Sequence, residues 1–196
     1  MRTTRAQLKE ATQALVIDAA SRLFMQRGFA ATTVRDIAEA SAVSPGTVMA
    51  VGDKPALLVR VFDDLVAALQ REWAGADPVA SAPGESCADG LLRVVLPFVT
   101  LFTDHPGLSR CYVSILVSGN HSSSLLTDLA DRLVAQFGEV IVTHGVPAPQ
   151  SRDRARALYA AYVGTLLLWA SRSTVDPDDV AADLRATFDA ICPGKE

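Results

Sequence analysis

Apolar residues recur every three to four positions along almost the whole chain, and the alternation typical of β-strands is nearly absent. Ala and Leu, which favour helices, are abundant. The pattern predicts an all-α fold with nine helices, three at the N-terminus and about six behind them. Because 49% of the 196 residues are apolar, the chain can bury a core and is not a disordered protein.

Local signals mark where the helices begin and end. Thr33 and Ser44 are expected N-caps, Asp36 nearly completes a capping box after Thr33, and Gly28 is expected to end the first helix. Pro45 fits the first position of a helix, where a missing N–H is tolerated. Loops are expected at residues 75–84 and 145–151. The predicted helices cover roughly residues 5 or 11 to 27, 34–40, 45–51, 54 or 55 to 73, 86–103, 108–118, a start within 120–124 to 144, 152–172 and 177–191.

Charge is distributed unevenly along the chain. Residues 1–60 carry eight basic and five acidic side chains, whereas residues 61–196 carry ten basic and seventeen acidic ones. A positive N-terminal segment followed by an acidic remainder is consistent with an N-terminal domain that binds a polyanion.

Cysteine usage and hydropathy favour a cytoplasmic location. The three cysteines, Cys87, Cys111 and Cys192, are odd in number and widely spaced, so neither a disulfide framework nor a structural zinc site is expected. The longest apolar runs are too short to cross a bilayer, and no signal peptide is expected at the N-terminus.

Two short helices joined by a four-residue turn, directly after a longer helix, form a helix-turn-helix arrangement. The second short helix is small enough to enter the major groove of DNA. Its outer face carries small residues, among them Gly46 and Ala50, which permit a close approach to base edges. The apolar residues predicted to pack inside are Val34, Ile37, Ala38, Val43 and Val48.

Several groups in this arrangement suit contacts with DNA. Thr47 could meet a thymine methyl or donate to a phosphate, and the free amide groups at the helix starts can bind phosphates. Arg35 and Lys54 supply cations on either side of the second short helix.

The run IDAASRLFMQRGFAATTVRDIAEASAVSPGTV, residues 17–48, resembles the N-terminal DNA-binding domain of the tetracycline-repressor (TetR) family. The shared features are AAxxLF in helix one, GF followed by TTV, the IA pair in helix two, VSxGT at the start of helix three, and a Lys at the start of helix four. The resemblance implies a DNA-binding domain over residues 1–54 and a ligand-binding and dimerisation domain over residues 55–196. It implies DNA contacts at Thr33, Arg35, Ser44, Pro45, Gly46, Thr47 and Lys54.

The chain departs from the family pattern in three places. Met49 stands where a phosphate-contacting Tyr is usual, so it joins the candidate DNA contacts, although packing in the core is the favoured interpretation. Ala42 replaces the usual glycine of the turn. The aromatic pair before Lys54 is absent, and one residue is missing there.

The six rear helices are apolar on more than one face, which indicates more than one packing partner. In helix eight, one stripe contains Tyr162 and Trp169 and another contains Val163 and Leu167. One partner can be the chain's own core and the other a second subunit; a buried monomer core is the alternative. The residues predicted for a dimer interface are Tyr162, Leu166, Trp169, Leu184 and Phe188.

An apolar pocket between bundle helices is a usual place for a small ligand, and the resemblance implies one among helices four to seven. The candidate ligand-binding residues are Phe62, Phe98, Phe102, Tyr112 and Ile115, each of which also reads as ordinary core.

These patterns predict a ligand-responsive transcriptional regulator. It would be a homodimeric repressor that binds a palindromic operator and is released by a small, mostly apolar effector, without a cofactor or metal. The alternative is a dimeric ligand sensor that no longer reads DNA. An enzyme is not expected, because Ser118, His121 and Asp128 lack the nucleophile turn of a hydrolase, and no metal-ligand spacing is present.

Overall fold

The structure, a computed structural model, describes residues 4–73, 79, 84–172, 174 and 176–192. Within these ranges it contains nine helices and no β-strand, which confirms the predicted all-α fold. No helix there combines the length and apolarity needed to cross a membrane. The helices are α1 (Arg5–Ala31), α2 (Val34–Ala40), α3 (Pro45–Val51), α4 (Lys54–Trp73), α5 (Cys87–Asp104), α6 (Pro106–Val117), α7 (Ser124–Thr143), α8 (Ala148–Ala170) and α9 (Pro177–Ile191).

The first helix differs from its prediction at its C-terminal end. Gly28 leaves the helical conformation with φ of 81°, as expected of a residue that ends a helix, but a further helical turn follows to Ala31. Thr32 then closes the segment, because its hydroxyl donates a hydrogen bond of 2.9 Å to the Gly28 carbonyl.

The predicted loop over residues 145–151 is wrong in its second half, because α8 begins at Ala148. Pro147 precedes the helix and Pro149 lies in its first turn. Proline is tolerated there, since the first N–H groups of a helix have no helical acceptor. The other predicted loop, residues 75–84, lies mostly outside the described residues.

The chain divides into two compact units. The N-terminal unit comprises Met1–Leu65 and Gly107–Ser123, and it therefore extends past residue 54, where the sequence predicts a domain boundary. Within it the Phe62 ring of α4 stacks on the Tyr112 ring of α6 at a centroid distance of 4.3 Å. The buried side chains of its first three helices include Val16, Ala20, Leu23, Phe24, Ile37, Ala38 and Val48.

The second unit comprises Val66–Pro106 and Ser124–Glu196. Its core lies among α5, α7, α8 and α9, and Phe137 meets Phe188 edge to face at 5.8 Å near its centre. The largest fully buried side chains in this core are Phe137, Phe188, Leu91, Leu133, Ile141, Leu158 and Leu184.

The turn between α2 and α3 depends on a left-handed residue. Ala42 adopts φ of 54°. In this conformation its N–H donates to the Glu39 carbonyl at 3.2 Å, and the N–H of Val43 donates to the Ala38 carbonyl at 3.0 Å. Glycine is the residue that this backbone favours, and a Cβ there is unfavourable by about 1 kcal/mol. The turn therefore keeps its geometry without its glycine.

Lys54, the first residue of α4, holds the end of α1. Its ammonium donates hydrogen bonds to the carbonyl oxygens of Phe29 at 2.8 Å and Thr32 at 2.9 Å, and it lies 4.2 Å from the centre of the Phe29 ring. Carbonyl groups at the C-terminal end of a helix lack helical partners and carry partial negative charge. The lysine ammonium supplies both the missing hydrogen-bond donors and a compensating positive charge, and it fixes the start of α4 against α1.

We expect Ala42→Gly to stabilise the protein by about 1 kcal/mol, because it removes the strain of a left-handed alanine. Urea unfolding monitored by circular dichroism measures this change. Ala14→Gly is the matched control: Ala14 is exposed in the interior of α1, so the same substitution should destabilise by about 1 kcal/mol. A loss of stability at both positions would contradict the left-handed turn.

We expect Lys54→Met to lower the free energy of unfolding by about 1–3 kcal/mol, because two carbonyl oxygens lose a charged donor while the apolar stem is kept. The urea midpoint at an unchanged m-value measures the effect. Lys9→Met removes the same charge from an exposed position on α1 and should change stability by less than about 0.5 kcal/mol. Equal effects at the two positions would show that the Lys54 contacts contribute nothing specific.

Candidate nucleic-acid interface

The N-terminus of α2 is closed by a reciprocal pair of side chains. The Thr33 hydroxyl accepts from the Asp36 N–H at 3.2 Å, while the Asp36 carboxylate accepts from the Thr33 N–H at 2.8 Å and its hydroxyl at 2.7 Å. This is the capping box that the sequence predicts. The hydrogen bonds from the Thr33 hydroxyl and backbone lower the pKa of Asp36, so a carboxylate is held at this helix end.

The N-terminus of α3 is capped by Ser44. Its side-chain oxygen accepts from the Thr47 N–H at 3.1 Å and lies 2.9 Å from the Thr47 hydroxyl oxygen. Pro45 occupies the first turn, where it has no N–H that needs an acceptor, and the cap satisfies the N–H of Thr47. The two hydroxyl groups are therefore already oriented at the start of the helix.

The outer face of α3 is open. Ser44, Pro45, Gly46 and Ala50 are exposed and Thr47 is half-buried, whereas Val48 is completely buried against the other helices. The face consists of small side chains and two hydroxyls. It leaves the helix backbone accessible along its first turn.

Met49 lies on the same outer face. Its exposed fraction is 52%, so the interpretation that it fills the core is wrong. The reason is geometric: Met49 follows the buried Val48 by one residue, and neighbouring residues on a helix point in directions about 100° apart. An unbranched, flexible side chain therefore stands beside the small residues of α3.

The two predicted cations behave differently. Arg35 is exposed on α2, and within the described part of the chain its guanidinium has no protein partner. The ammonium of Lys54 instead uses two of its three N–H groups on carbonyl oxygens of α1. Lys54 thus has a structural role that the sequence analysis missed, because its partners lie 22 and 25 residues away.

A contact between distant residues fixes the start of α4. The Asp53 carboxylate accepts from the Ala56 N–H at 2.8 Å, and the Nε2 atom of His121 lies 3.0 Å from the same oxygen. The Ala56 hydrogen bond, followed by His121, lowers the pKa of Asp53. The Ser118 hydroxyl donates to the Ile115 carbonyl at 2.7 Å rather than to a histidine. No hydrolase arrangement is formed around His121.

Three of the predicted ligand-binding residues lie in the N-terminal unit. Phe62 and Tyr112 form the buried stack described above, and Ile115 is half-buried on the same helix as Tyr112. Burial, and then the nearby Asp63 carboxylate, raise the pKa of Tyr112, so its hydroxyl keeps its proton. The Ser123 hydroxyl donates to Asp63 at 2.6 Å and completes a polar cluster beside an aromatic stack.

The other two predicted ligand-binding residues belong to the second unit. Phe98 is half-buried against its core, and Phe102 is half-buried on the same helix. Phe102 lines a cavity of about 10 Å³ with Leu166 and Trp169. This volume is too small for an organic ligand, since such sites measure several hundred cubic ångströms.

One groove of the N-terminal unit was not predicted from the sequence. It lies between α1 and α4 and has a volume of about 480 Å³. Glu10, Asp18 and Asp64 contribute carboxylates to its lining. This acidic character is the opposite of what a pocket for an apolar effector requires.

Most of the residues predicted for a dimer interface pack inside the subunit. Tyr162, Trp169, Leu184 and Phe188 are at most 6% exposed and belong to the core of the second unit, and Leu166 is half-buried against it. The indole N–H of Trp169 donates to Asp183 at 3.0 Å within the same chain. The four buried side chains therefore have no surface left to offer a partner. The exposed apolar residues of α8 are instead Leu167 and Leu168, at 41% and 67%.

Across the described residues, no three or more His, Cys, Asp or Glu side chains are grouped to hold a metal ion. The site therefore consists of hydroxyl groups, helix-start amides, one free guanidinium and an exposed methionine on α2 and α3.

Comparisons with known proteins agree with this geometry. Residues 16–50 match the family described as "Bacterial regulatory proteins, tetR family". No protein of curated function matches the sequence.

Solved structures share the fold over nearly the whole chain. A TetR transcriptional regulator from Rhodococcus sp. RHA1 is 19% identical with a TM-score of 0.66, and the match covers 93% of this chain and 95% of that one. The TetR-family repressor FadR from Thermus thermophilus, in complex with lauroyl-CoA, is 21% identical with a TM-score of 0.62, covering 91% and 92%. The multidrug binding protein EbrR, complexed with imidazole, is 20% identical with a TM-score of 0.59, covering 94% and 96%.

The family model and these structures are described as those of regulatory or ligand-binding proteins. Residues 16–50 of the chain thus match the model of the tetR family of bacterial regulatory proteins, and the chain has the fold of solved TetR-family regulators.

Proposed function

We propose that this protein is a transcriptional repressor that binds a palindromic DNA operator as a homodimer and is released by a small, mostly apolar effector. The observation that carries the proposal is the open outer face of α3, where a capped first turn presents small and hydroxyl-bearing residues around an exposed backbone. A helix with this surface fits the major groove, which admits one α-helix. The same role implies a cytoplasmic location.

In this proposal α3 is the recognition helix. Thr47 and Met49 face the base edges, where a methyl group or a thioether can contact the thymine methyl. Ser44, Pro45 and Gly46 permit close approach at the helix start. Around them, Thr33 and Arg35 contact phosphates, and Arg35 contributes the charge.

Lys54 contributes to DNA binding indirectly, by holding the helices in position. Because its ammonium bonds to the end of α1, it fixes where α4 begins and hence where α3 ends. One N–H of the ammonium remains for a phosphate. The carboxylate of Asp36 at the start of α2 weakens the phosphate contact of Thr33, so Arg35 and the start of α3 contribute more of the phosphate binding.

A second copy of the chain is the proposed partner of α8 and α9. Ala157, Ala160, Leu167 and Leu168 are exposed along α8, and Ala182 and Ala186 are exposed on α9. Small residues let helices approach closely. The α8 and α9 helices of one subunit would pack against those of the other and form a four-helix interface with twofold symmetry. A twofold dimer presents two copies of α3 to half-sites about 34–36 Å apart, or a multiple of that spacing.

The proposed effector acts by binding two conformations of the dimer unequally, so that the arrangement suited to DNA becomes less populated. FadR in complex with lauroyl-CoA and EbrR with imidazole show that proteins of this fold bind small molecules. The Phe62–Tyr112 stack with the adjacent Asp63 and Ser123 is the candidate wall for such a ligand. It offers an aromatic surface with a polar end.

The DNA-binding role can be tested by selection from a pool of randomised duplexes, followed by fluorescence anisotropy with the selected duplex and a scrambled one. We expect a twofold-symmetric sequence, bound about 10³-fold or more tightly than the scrambled duplex. Arg35→Ala should weaken binding to both duplexes about 10- to 100-fold and reduce the salt slope by about 2, one phosphate for each subunit.

Arg132→Ala is the control, because it removes an exposed arginine of α7, outside the N-terminal unit. It should leave affinity and salt slope unchanged. Selection that yields no enriched sequence, with the protein folded and dimeric, would support the alternative of a ligand sensor that no longer reads DNA.

The dimer can be tested with Leu168→Glu, which places a charge in the proposed interface and should convert the dimer to a monomer in sedimentation velocity. Val117→Glu is the matched control, since Val117 is 74% exposed and lies on α6. It should stay dimeric. A wild-type monomer, or a Leu168→Glu variant that remains dimeric, contradicts the interface.

A further inference from the structure

The segment between α6 and α7, residues 118–123, contacts α4 and the residue before it at two points. The His121 Nε2 atom lies 3.0 Å from the carboxylate of Asp53, one residue before α4 begins. The Ser123 hydroxyl donates to the Asp63 carboxylate at 2.6 Å. Asp53 and Asp63 are ten positions apart in the sequence, or about 15 Å along a helix axis. Both contacts lie inside the N-terminal unit, so they brace α4 within that unit.

Asp53 belongs to a short joint between two helices. Only two residues, Gly52 and Asp53, separate α3 from α4. The Gly52 N–H donates to the Val48 carbonyl of α3 at 3.1 Å, and a Cβ on Gly52 would lie 3.1 Å from the Ala56 Cβ of α4. The joint therefore has little conformational freedom, and a contact that fixes the start of α4 also fixes the direction of α3.

Two kinds of hydrogen bond meet at the Asp53 carboxylate. Its Oδ1 atom accepts from the Ala56 N–H at 2.8 Å, which satisfies an amide group in the first turn of α4. That bond is local, so it closes the helix without orienting it. The contact with His121 joins residues 68 positions apart, and it ties the start of α4 to the segment that follows α6.

The imidazole is more buried than the carboxylate it contacts. The His121 side chain is 22% exposed, whereas that of Asp53 is 49% exposed. A mostly buried side chain has already lost much of its rotamer freedom, so it can orient a more mobile partner at little further cost in entropy. The next residue, Lys54, bonds to the end of α1. Consecutive residues at the start of α4 are therefore fixed by two different parts of the unit.

We propose that His121 is a positioning residue for DNA binding. Through Asp53 it orients the joint between α3 and α4, and through the joint it sets the direction in which α3 meets the major groove. The inference rests on the proposed role of α3 as the recognition helix. His121 acts by geometry and not as a phosphate ligand, because its Nε2 atom is engaged by the Asp53 carboxylate.

This role differs from a purely structural one in what it predicts. A structural contact affects stability, and folded protein that lacks the contact would bind DNA normally. A binding group, however, must be held within about 0.5 Å and 10–20° of its productive geometry. A change in the direction of α3 therefore lowers the affinity for DNA even in protein that remains fully folded.

The test measures the affinity of the full-length protein for the duplex selected with the wild type, by fluorescence anisotropy. We expect His121→Ala to raise Kd about 5- to 30-fold, the loss of one modest hydrogen bond in each of two subunits. The salt slope should stay unchanged, whereas Arg35→Ala lowers it. His121→Gln should restore Kd to within about threefold of the wild type, because an amide nitrogen also donates to a carboxylate.

Asn120→Ala is the matched control, since Asn120 is exposed in the same segment, and it should leave Kd unchanged. A double-mutant cycle tests the route through Asp53: in an Asp53→Ala background, His121→Ala should have no further effect on Kd. Circular dichroism and sedimentation velocity verify that each variant is folded and dimeric. If His121→Ala does not fold, His121→Leu, which is closer to the imidazole in size, takes its place.

The outcomes separate this inference from the proposed function. Wild-type protein that enriches no DNA sequence would overturn the proposed function, and the role of His121 with it. Wild-type protein that binds its selected duplex, while His121→Ala binds it equally well, overturns the role of His121 alone. The same conclusion follows if the two substitutions are fully additive, or if His121→Gln binds as weakly as His121→Ala.

Discussion

The hydrogen bonds from the Lys54 ammonium to the end of α1 are the contact on which the candidate interface depends. They join residues 22 and 25 positions apart and satisfy carbonyl groups that the helix itself leaves open. The Phe29 ring beneath the ammonium adds a cation–π contact and limits its exposure to water. The three short segments between them, α2, the turn and α3, are therefore held between two fixed points.

Within that frame, each short helix is closed by its own side chains. Thr33 with Asp36 and Ser44 with Thr47 satisfy the first amide groups of α2 and α3, so helices of seven residues persist where an isolated helix of that length would not. The same caps orient the hydroxyl groups that the proposed interface uses. The same few side chains therefore serve both the stability of these helices and the proposed recognition of DNA. Ala42, in the turn between the helices, is left-handed and strained.

The second unit has a different organisation, because its apolar faces divide between an interior and a surface. Tyr162 and Trp169 complete the core together with Leu184 and Phe188 of α9, while Leu168 remains exposed on the other side of α8. The end of the same α9 places Cys192 at the edge of this core. The exposed apolar face therefore arises from the way α8 packs against its neighbours.

The sequence by itself determined the helices and their ends, because these depend on hydrogen bonds between residues no more than a few positions apart. Thr33, Ser44 and Gly28 act where their local chemistry predicts, and the resemblance of residues 17–48 to a known family identified the candidate interface. The start of α8 was missed because proline signals a loop and a helix start equally well.

Only the tertiary structure decided how these helices use their faces. Periodicity shows that α8 has two apolar stripes, but both consist of similar residues, and the choice of the buried one depends on the shape of α9 and α7. The same holds for the outward Met49 and the inward ammonium of Lys54. Each of these depends on a partner distant in sequence, and no local pattern encodes which distant residue a folded chain brings into contact.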